Sequence, residues 1–218
     1  MAVVSAERRG TAANPAADAA PRMAEIHRET RETRITVRLA LDGSGQASIG
    51  TGIGFYDHLL TSFAHHALFD LSIEAEGDLH VDEHHTVEDV ALTLGEAVSR
   101  ALGDRAGIER FGEASVPMDE SVATCVLDLS GRPYAVLELP FRGERMGALP
   151  TQLVEHALES LARTAGATLH LRASGRNDHH MAEASFKALA LALRRAVTTD
   201  PRRTGVASTK GTLDGSAP

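Results

Sequence analysis

Two copies of one short pattern stand 95 positions apart: His84-His85-Thr86-Val87-Glu88 and His179-His180-Met181-Ala182-Glu183. Imidazole nitrogens and carboxylate oxygens without sulfur are donors for borderline metals such as Mn, Fe, Co, Ni and Zn. Each copy opens a stretch with helical periodicity. There the second histidine and the glutamate, three apart, share a face, so His85 with Glu88 and His180 with Glu183 are expected to chelate one ion each. His84 and His179 diverge by about 100° around the helix. If the two halves meet face to face, each can join the other half's ion, so each motif bridges two ions. A lone His-His pair at a helix start carries little information. The same offset to Glu in both copies, each with a histidine on an upstream helix (His58 and His156), makes a metalloenzyme the expectation. The His-Glu-x-x-His order of thermolysin-type peptidases is absent.

The elements that must position these groups repeat. Thr33 to Leu41 alternates with Ile35, Val37, Leu39 and Leu41 on one face, as a half-buried strand does. Asp42-Gly43-Ser44-Gly45 is a turn, and Ala47 to Ile53 is read as the partner strand of a hairpin. Gly50, Gly52 and Gly54 then imply a bend or a close approach. Tyr56 to His66 reads as a helix with Asp57 in its first turn, Phe69 to Glu76 as a strand, and His84 to Leu102 as a helix with Val87, Ala91, Leu94 and Val98 inward. The second half follows the same plan. Val122 to Leu129 and Tyr134 to Leu139 flank Ser130-Gly131-Arg132-Pro133 as a hairpin. Leu149 to Ala165 is a helix with Thr151 as candidate cap, Ala167 to Ala173 a strand, and His179 to Val197 a helix capped by Asn177 or Asp178. The order strand, strand, helix, strand, helix thus occurs twice. The predicted class is α+β: two units, each a mostly antiparallel sheet with helices on one face. The other sheet face would need cover, for instance from a neighbouring subunit. The expected boundaries are a disordered tail over 1–25, repeats over 26–115 and 116–205, and a C-terminal tail over 206–218.

Composition narrows the classes. The 218 residues are 43% apolar but only 4% aromatic, so the core must be aliphatic. A net charge of -8 argues against non-specific nucleic-acid binding. The single cysteine, Cys125, excludes an intramolecular disulfide and lies in an apolar run, which marks it as an inert core residue. No run approaches the roughly 20 apolar residues of a membrane helix, and residues 1 to 22 lack the apolar centre of a signal peptide. A cytoplasmic protein without membrane contact is expected.

Other groups gather near the histidines. Asp82 or Asp89 could orient a ligand ring. Lys187 lies one turn beyond Glu183, facing the same pocket or simply pairing with it. Taken alone, Glu32 before the first strand reads as a solvated residue. Arg110, Arg132, Arg142 and Arg145 are separate basic positions. Ser208-Thr209-Lys210-Gly211 combines hydroxyls, an ammonium and a flexible glycine, a set that can hold a phosphate, although alone it reads as a mobile end.

Several stretches in order carry a family resemblance: Gly52-Ile53-Gly54-Phe55-Tyr56-Asp57-His58, Asp82 to Asp89, Pro117-Met118-Asp119-Glu120, Asp128-Leu129-Ser130-Gly131-Arg132-Pro133, Asn177 to Glu183, Phe186-Lys187-Ala188 and Ser208-Thr209-Lys210-Gly211. Across roughly residues 26 to 213 the chain closely resembles the imidazoleglycerol-phosphate dehydratases. The resemblance implies a duplicated fold like the second domain of ribosomal protein S5. It implies two Mn(2+) per active site and trimers assembled into a 24-subunit homo-oligomer with active sites shared between subunits. It assigns His58, His85, Glu88 and His179 to one ion and His84, His156, His180 and Glu183 to the other. It carries substrate contacts onto Glu32, the stretch from His58 to His66, Arg110, Arg132, Lys187 and Ser208, Thr209 and Lys210, beside the ligand residues His84, His85, Glu88, His179 and Glu183. Two positions depart from the family pattern: Tyr56, where a smaller apolar residue is common, and His66, where Gly is common. The short N-terminal segment leaves no room for the phosphatase half that some relatives carry, so a monofunctional chain is expected.

The implied reaction removes water from D-erythro-1-(imidazol-4-yl)glycerol 3-phosphate, in histidine biosynthesis. Its difficulty is a weakly acidic C–H with no adjacent carbonyl, so the imidazole must act as the electron sink through a diazafulvene-like intermediate. Glu32 is the candidate base, with His65 or a metal-held water as the rival. A metal-assembled structural or storage protein, or a metal-dependent sugar-phosphate isomerase or hydrolase, would share the His/Glu clusters. The structural protein would need neither Glu32 nor a phosphate pocket.

Overall fold

The computed structural model describes residues 21–213. The expected N-terminal tail lies outside the described residues up to position 20, but its last part does not: strand β1 spans Met23–Glu29. β2 (Thr33–Ala40), β3 (Ala47–Gly50), α1 (Gly54–Ala67), β4 (Asp70–Gly77) and α2 (His84–Leu102) complete the first half. The second comprises β5 (Phe111–Met118), β6 (Ser121–Asp128), β7 (Tyr134–Glu138), a small pair β8 (Arg145–Met146) and β9 (Leu149–Pro150), α3 (Thr151–Ala165), β10 (Thr168–Ser174) and α4 (Asp178–Ala196).

The duplication is visible in the hydrogen-bond registers. The sheets run β1-β2-β4-β3 and β5-β6-β10-β7. Ile35 pairs with Arg28 in the first sheet as Ala123 pairs with Val116 in the second. Two of the three pairings in each sheet are antiparallel and the last is parallel. The mostly antiparallel α+β prediction therefore holds.

Both expected hairpins are overturned. β3 does not pair with β2; it runs parallel to β4, which lies between them, and β7 likewise runs parallel to β10. The turn after β2 does not fold back on its own strand because Asp70, opening β4, takes it across: its Oδ1 accepts from the amides of Ser44 at 2.8 Å and Gln46 at 3.0 Å. In the second half the Thr168 hydroxyl, opening β10, donates to the Arg132 carbonyl at 3.0 Å. Parallel neighbours need a crossover of a dozen or more residues, which α1 and α3 supply.

Strands β1 and β5 are additions to the expected layout. β1 is an edge strand with Ile26 as its one deeply buried large side chain. β5 turns Gly112 and Ala114 inward, too small to register as a hydrophobic stripe. A Cβ on Gly112 would lie 1.9 Å from the Ala192 carbonyl oxygen, so glycine lets α4 lie directly on the strand. Among the three clustered glycines, Gly52 supplies the bend, with φ +80°.

The expected inward residues are buried. Ile35, Val37 and Leu39 of β2, and Val87, Ala91, Leu94 and Val98 of α2, belong to one aliphatic core spanning both halves. Cys125 lies in it, with burial pushing its thiol up to about 12. α2 lies on β1 and β2, and α4 on β5 and β6. The helical faces of the halves then meet, α1 against α4 and α2 against α3. The outer face of the first sheet carries exposed ion pairs, Arg38 with Glu25 and Glu74 and Arg34 with Glu29 and Glu76. The second sheet leaves Val122 and Val126 exposed instead. No helix among the described residues is long and apolar enough to cross a membrane.

Candidate metal centre

The seams between the halves bring the histidines together. α1 delivers His58 to His179 and Glu183 of α4, and α3 delivers His156 to His84 and Glu88 of α2. Within each trio the candidate donor atoms lie within 4.8 Å of one another. Glu183 Oε1 is 3.0 Å from His58 Nε2 and 2.9 Å from His179 Nε2. Phe55 walls this trio, its ring centroid 4.6 Å from that of His179. Lys187 pairs with Glu183 at 2.7 Å. Burial pushes the Glu183 carboxyl up, but the hydrogen bonds from Lys187, His58 and His179 outweigh it and hold it at about 2. In the other trio the rings of His84 and His156 stack at 4.7 Å, and Glu88 Oε1 lies 3.5 Å from His156 Nε2 and from Arg163 Nη2.

Pairing across the halves agrees with the helix-face argument, but the partition of carboxylates differs from the expected one. Within this chain each glutamate joins the first histidine of its motif. The reason is angular. Four residues overshoot a full helical turn by about 40°, whereas three fall about 60° short. The second histidines are also drawn aside by local carboxylates. His85 Nδ1 lies 3.0 Å from Asp78 Oδ2, and His180 Nδ1 lies 2.8 Å from Glu120 Oε2. Those bonds raise the pKa of both rings above the ordinary histidine value. With Nδ1 engaged, Nε2 is the nitrogen left for a metal.

The donor sets fit borderline divalent metals. A buried polar atom normally has a partner. His156 Nε2 has no hydrogen-bond partner, because Glu88 is too far for a good one. A bound ion would satisfy it.

Glu32 occupies the turn between β1 and β2, its carboxylate 3.8 Å from His85 Nε2 and 51% exposed. Asp78 and Glu120, the carboxylates that hold the second histidines, were not singled out as ring-orienting groups from the sequence. The signal for Glu120 was available, since it immediately precedes β6 as Glu32 precedes β2. Asp82 and Asp89 do not orient rings: Asp82 accepts the His84 amide at 2.8 Å, and Asp89 turns to Arg28 and Thr33. Tyr56 is buried, its hydroxyl donating to the Val87 carbonyl at 3.4 Å in the first turn of α2. His65 and His66 lie in the last turn of α1, outside both trios. Burial, then His65 and Lys187, lower the pKa of His66.

Asn177 caps α4, accepting from the amides of His179 and His180. Thr151 is not a cap; its hydroxyl donates to the Gly143 and Glu144 carbonyls, closing the preceding loop. Arg145 pairs with Glu83, and the Arg142 amide donates to Asp178.

A second basic site forms around the C-terminal segment. Arg110 makes a two-pronged bond to Asp128, at 2.6 and 2.8 Å, and reaches the Ala207 carbonyl at 2.5 Å. Arg132 lies beside it, with Asp128 Oδ2 at 3.6 Å. Together with Ser208, Thr209 and Lys210 they line a cavity of about 530 Å³. The part of the expected C-terminal tail up to Leu213 is therefore anchored where the sequence alone left a loose end, and positions 214–218 lie outside the described residues.

Fold and site define a duplicated α+β protein with imidazole–carboxylate clusters at the seams between its halves. The family profile described as imidazoleglycerol-phosphate dehydratase matches residues 51–193. The chain is 54% identical over 192 residues to the imidazoleglycerol-phosphate dehydratase of Methanocella arvoryzae, covering 88% of this chain and 100% of that one. It is 57% identical over 186 residues to that of Methanothermobacter thermautotrophicus, covering 85% and 95%. Solved structures resemble it, two of them as follows. The enzyme of Staphylococcus aureus subsp. aureus N315 superposes with TM-score 0.74 at 34% identity, over 82% of this chain and 99% of that one. The Pyrococcus furiosus enzyme, in complex with (S)-C348, gives 0.75 at 36% identity, over 86% and 100%. The chain belongs to the imidazoleglycerol-phosphate dehydratase family, and with it to the lyases of histidine biosynthesis acting on a small molecule.

Proposed function

We propose that the chain removes water from D-erythro-1-(imidazol-4-yl)glycerol 3-phosphate to give 3-(imidazol-4-yl)-2-oxopropyl phosphate, as a hydro-lyase with two Mn(2+) per active site. The observation that carries this reading is the pair of His/Glu trios, His58, His179 and Glu183, and His84, Glu88 and His156. His85 and His180 belong to neither trio and keep Nε2 available. They would complete the ligand sets of neighbouring subunits, in a homo-oligomer of 24 subunits built from trimers in the cytoplasm. Bound manganese would supply Lewis acidity toward the substrate imidazole, making the ring an electron sink.

The protein's own groups do the rest. Glu32 stands beside the metal-facing nitrogen of His85 and is exposed enough to meet a ligand. It takes the proton from the carbon bearing the middle hydroxyl and passes it on to the departing hydroxyl next to the ring, so that the two leave together as water. The resulting enol gains a proton at the ring-side carbon and becomes the ketone. His65, outside both trios and in the last turn of α1, is the weaker candidate for the base. Arg110, Arg132, Ser208, Thr209 and Lys210 hold the phosphate, and that remote binding energy orients the reacting carbons. Lys187, beside Glu183, offers an ammonium to a substrate oxygen.

The test is water loss from the phosphate substrate by protein stripped of metal and then reloaded with Mn(II). Turnover should vanish on stripping and return on reloading. A fully loaded protein that released no ketone would overturn the proposal.

A further inference from the structure

The two halves hold their first turns in different ways. In the second half, between β5 and β6, the glutamate is itself the fastener. Glu120 Oε1 accepts from the Asn177 amide at 2.8 Å, the Arg176 amide at 3.2 Å and the Ser121 hydroxyl at 3.0 Å, while Oε2 holds His180. Its equivalent, Glu32, makes none of these bonds. The β1–β2 turn is held from beneath by Asp89, one residue past Glu88 on α2. Asp89 Oδ1 takes Arg28 Nε at 2.8 Å, and Oδ2 takes the Thr33 hydroxyl at 2.6 Å. The Thr30 hydroxyl stands 3.2 Å from that of Thr33 and accepts the Glu32 and Thr33 amides at 3.1 and 3.0 Å. The Asp89 side chain is only 8% exposed, and both its oxygens are engaged.

Register shows what stands at these places in the other half. Arg28 corresponds to Val116 by their shared pairing, Thr33 to Ser121 as the first residue of the second strand, and Asp89 to Ala184 as the residue after the motif glutamate. The ion pair of the buried Asp89 with the half-exposed Arg28 therefore exists only in the half whose turn glutamate accepts none of those bonds. The other half fills the same two places with the apolar Ala184 and Val116, and an ion pair with one end in solvent contributes little stability. Its presence beneath Glu32 calls for a reason other than stability.

We infer that Asp89 is a positioning residue. Through Arg28, Thr33 and Thr30 it holds the β1–β2 turn, so that Glu32 keeps its place 3.8 Å from His85 Nε2 without being drawn into the hydrogen bonds that hold Glu120. This rests on the reading of Glu32 as the base. The same aspartate sits next to the ligand Glu88 in the first turns of α2, so base and ligand are placed by a single helix.

The experiment compares Asp89→Asn, Arg28→Gln and Glu32→Gln, singly and combined, in Mn-loaded enzyme. Asp89→Asn should lower kcat by about 10²-fold, the scale on which a misplacement near 1 Å acts. Its Mn content per subunit and its KM should stay near the parent's. In a Glu32→Gln background it should cause almost no further loss, since groups acting through one another are non-additive. Arg28→Gln, on the exposed side of the pair, should show the same kcat pattern more weakly and keeps the test open if Asp89→Asn does not fold. Parent kcat per loaded subunit in the folded variants, or a full multiplicative loss in the Glu32→Gln background, would overturn the inference. Parent turnover in Glu32→Gln alone would instead remove the base assignment, which separates the two failures.

Discussion

The β1–β2 and β5–β6 turns have one origin, one register and a glutamate at the same position, yet the carboxylates meet different fates. Glu120 is 23% exposed and bonded to a histidine, two amides and a hydroxyl; Glu32 is 51% exposed with one histidine nitrogen at 3.8 Å. Those bonds hold the Glu120 carboxyl far below the ordinary carboxylate range, the His180 bond acting most strongly. A group so engaged is a poor proton acceptor. The lesson is that a duplicated fold need not duplicate its chemistry. With Glu32 as the proposed base, one copy uses its carboxylate for geometry while the other keeps it for reaction, provided something else holds the turn.

The sharpest way to break this contrast is to neutralise each glutamate. Glu32→Gln should cut kcat by about 10²- to 10⁴-fold, the usual range for a lost general base, with Mn content at the parent level. Glu120→Gln should act by way of His180. A fall of about 10- to 100-fold in metal affinity or activity is expected for a lost ring-orienting partner, and excess Mn(II) should recover much of it. Steady-state kinetics with titrated Mn(II) distinguishes the two; indistinguishable profiles would mean that the turns are not specialised.

A smaller effect concerns the residues that steer each third strand. Asp70 and Thr168 occupy equivalent positions by register, against Ala40 and Asp128. The Gln46 and Ser44 amides lower the Asp70 pKa below its ordinary 3.8. Its contribution to stability is therefore present above about pH 3.8 and is lost as the pH falls through the lower, folded value. Asp70→Asn should melt below the parent at pH 7, with the gap closing under acid. Thr168→Val should show a gap that does not depend on pH through this residue, because a hydroxyl does not titrate there. Thermal melts across pH would reveal a parallel response if that difference were wrong.

Much of this was legible from spacing. The repeat and the buried faces of β2 and α2 follow from local periodicity, and the cap of α4 was narrowed to Asn177 or Asp178; that His58 and His156 face the opposite half's motif followed only on the condition that the halves meet. The hairpins were not legible, because a turn sequence does not say whether its strand folds back or is carried past a neighbour by Asp70. Strand β5 was hidden because Gly112 and Ala114 serve close packing rather than bulk.

By itself, then, the sequence determined which groups exist for the chemistry: two His-His-x-x-Glu motifs, their upstream histidines, and a duplicated α+β frame to carry them. Only the tertiary structure decided which glutamate joins which histidine, which turn carboxylate stays free, and that Asp89 lies beneath Glu32. Periodicity is a property of one element, but these assignments depend on how helices from opposite halves pack and on hydrogen bonds between residues as far apart as Thr33 and Asp89.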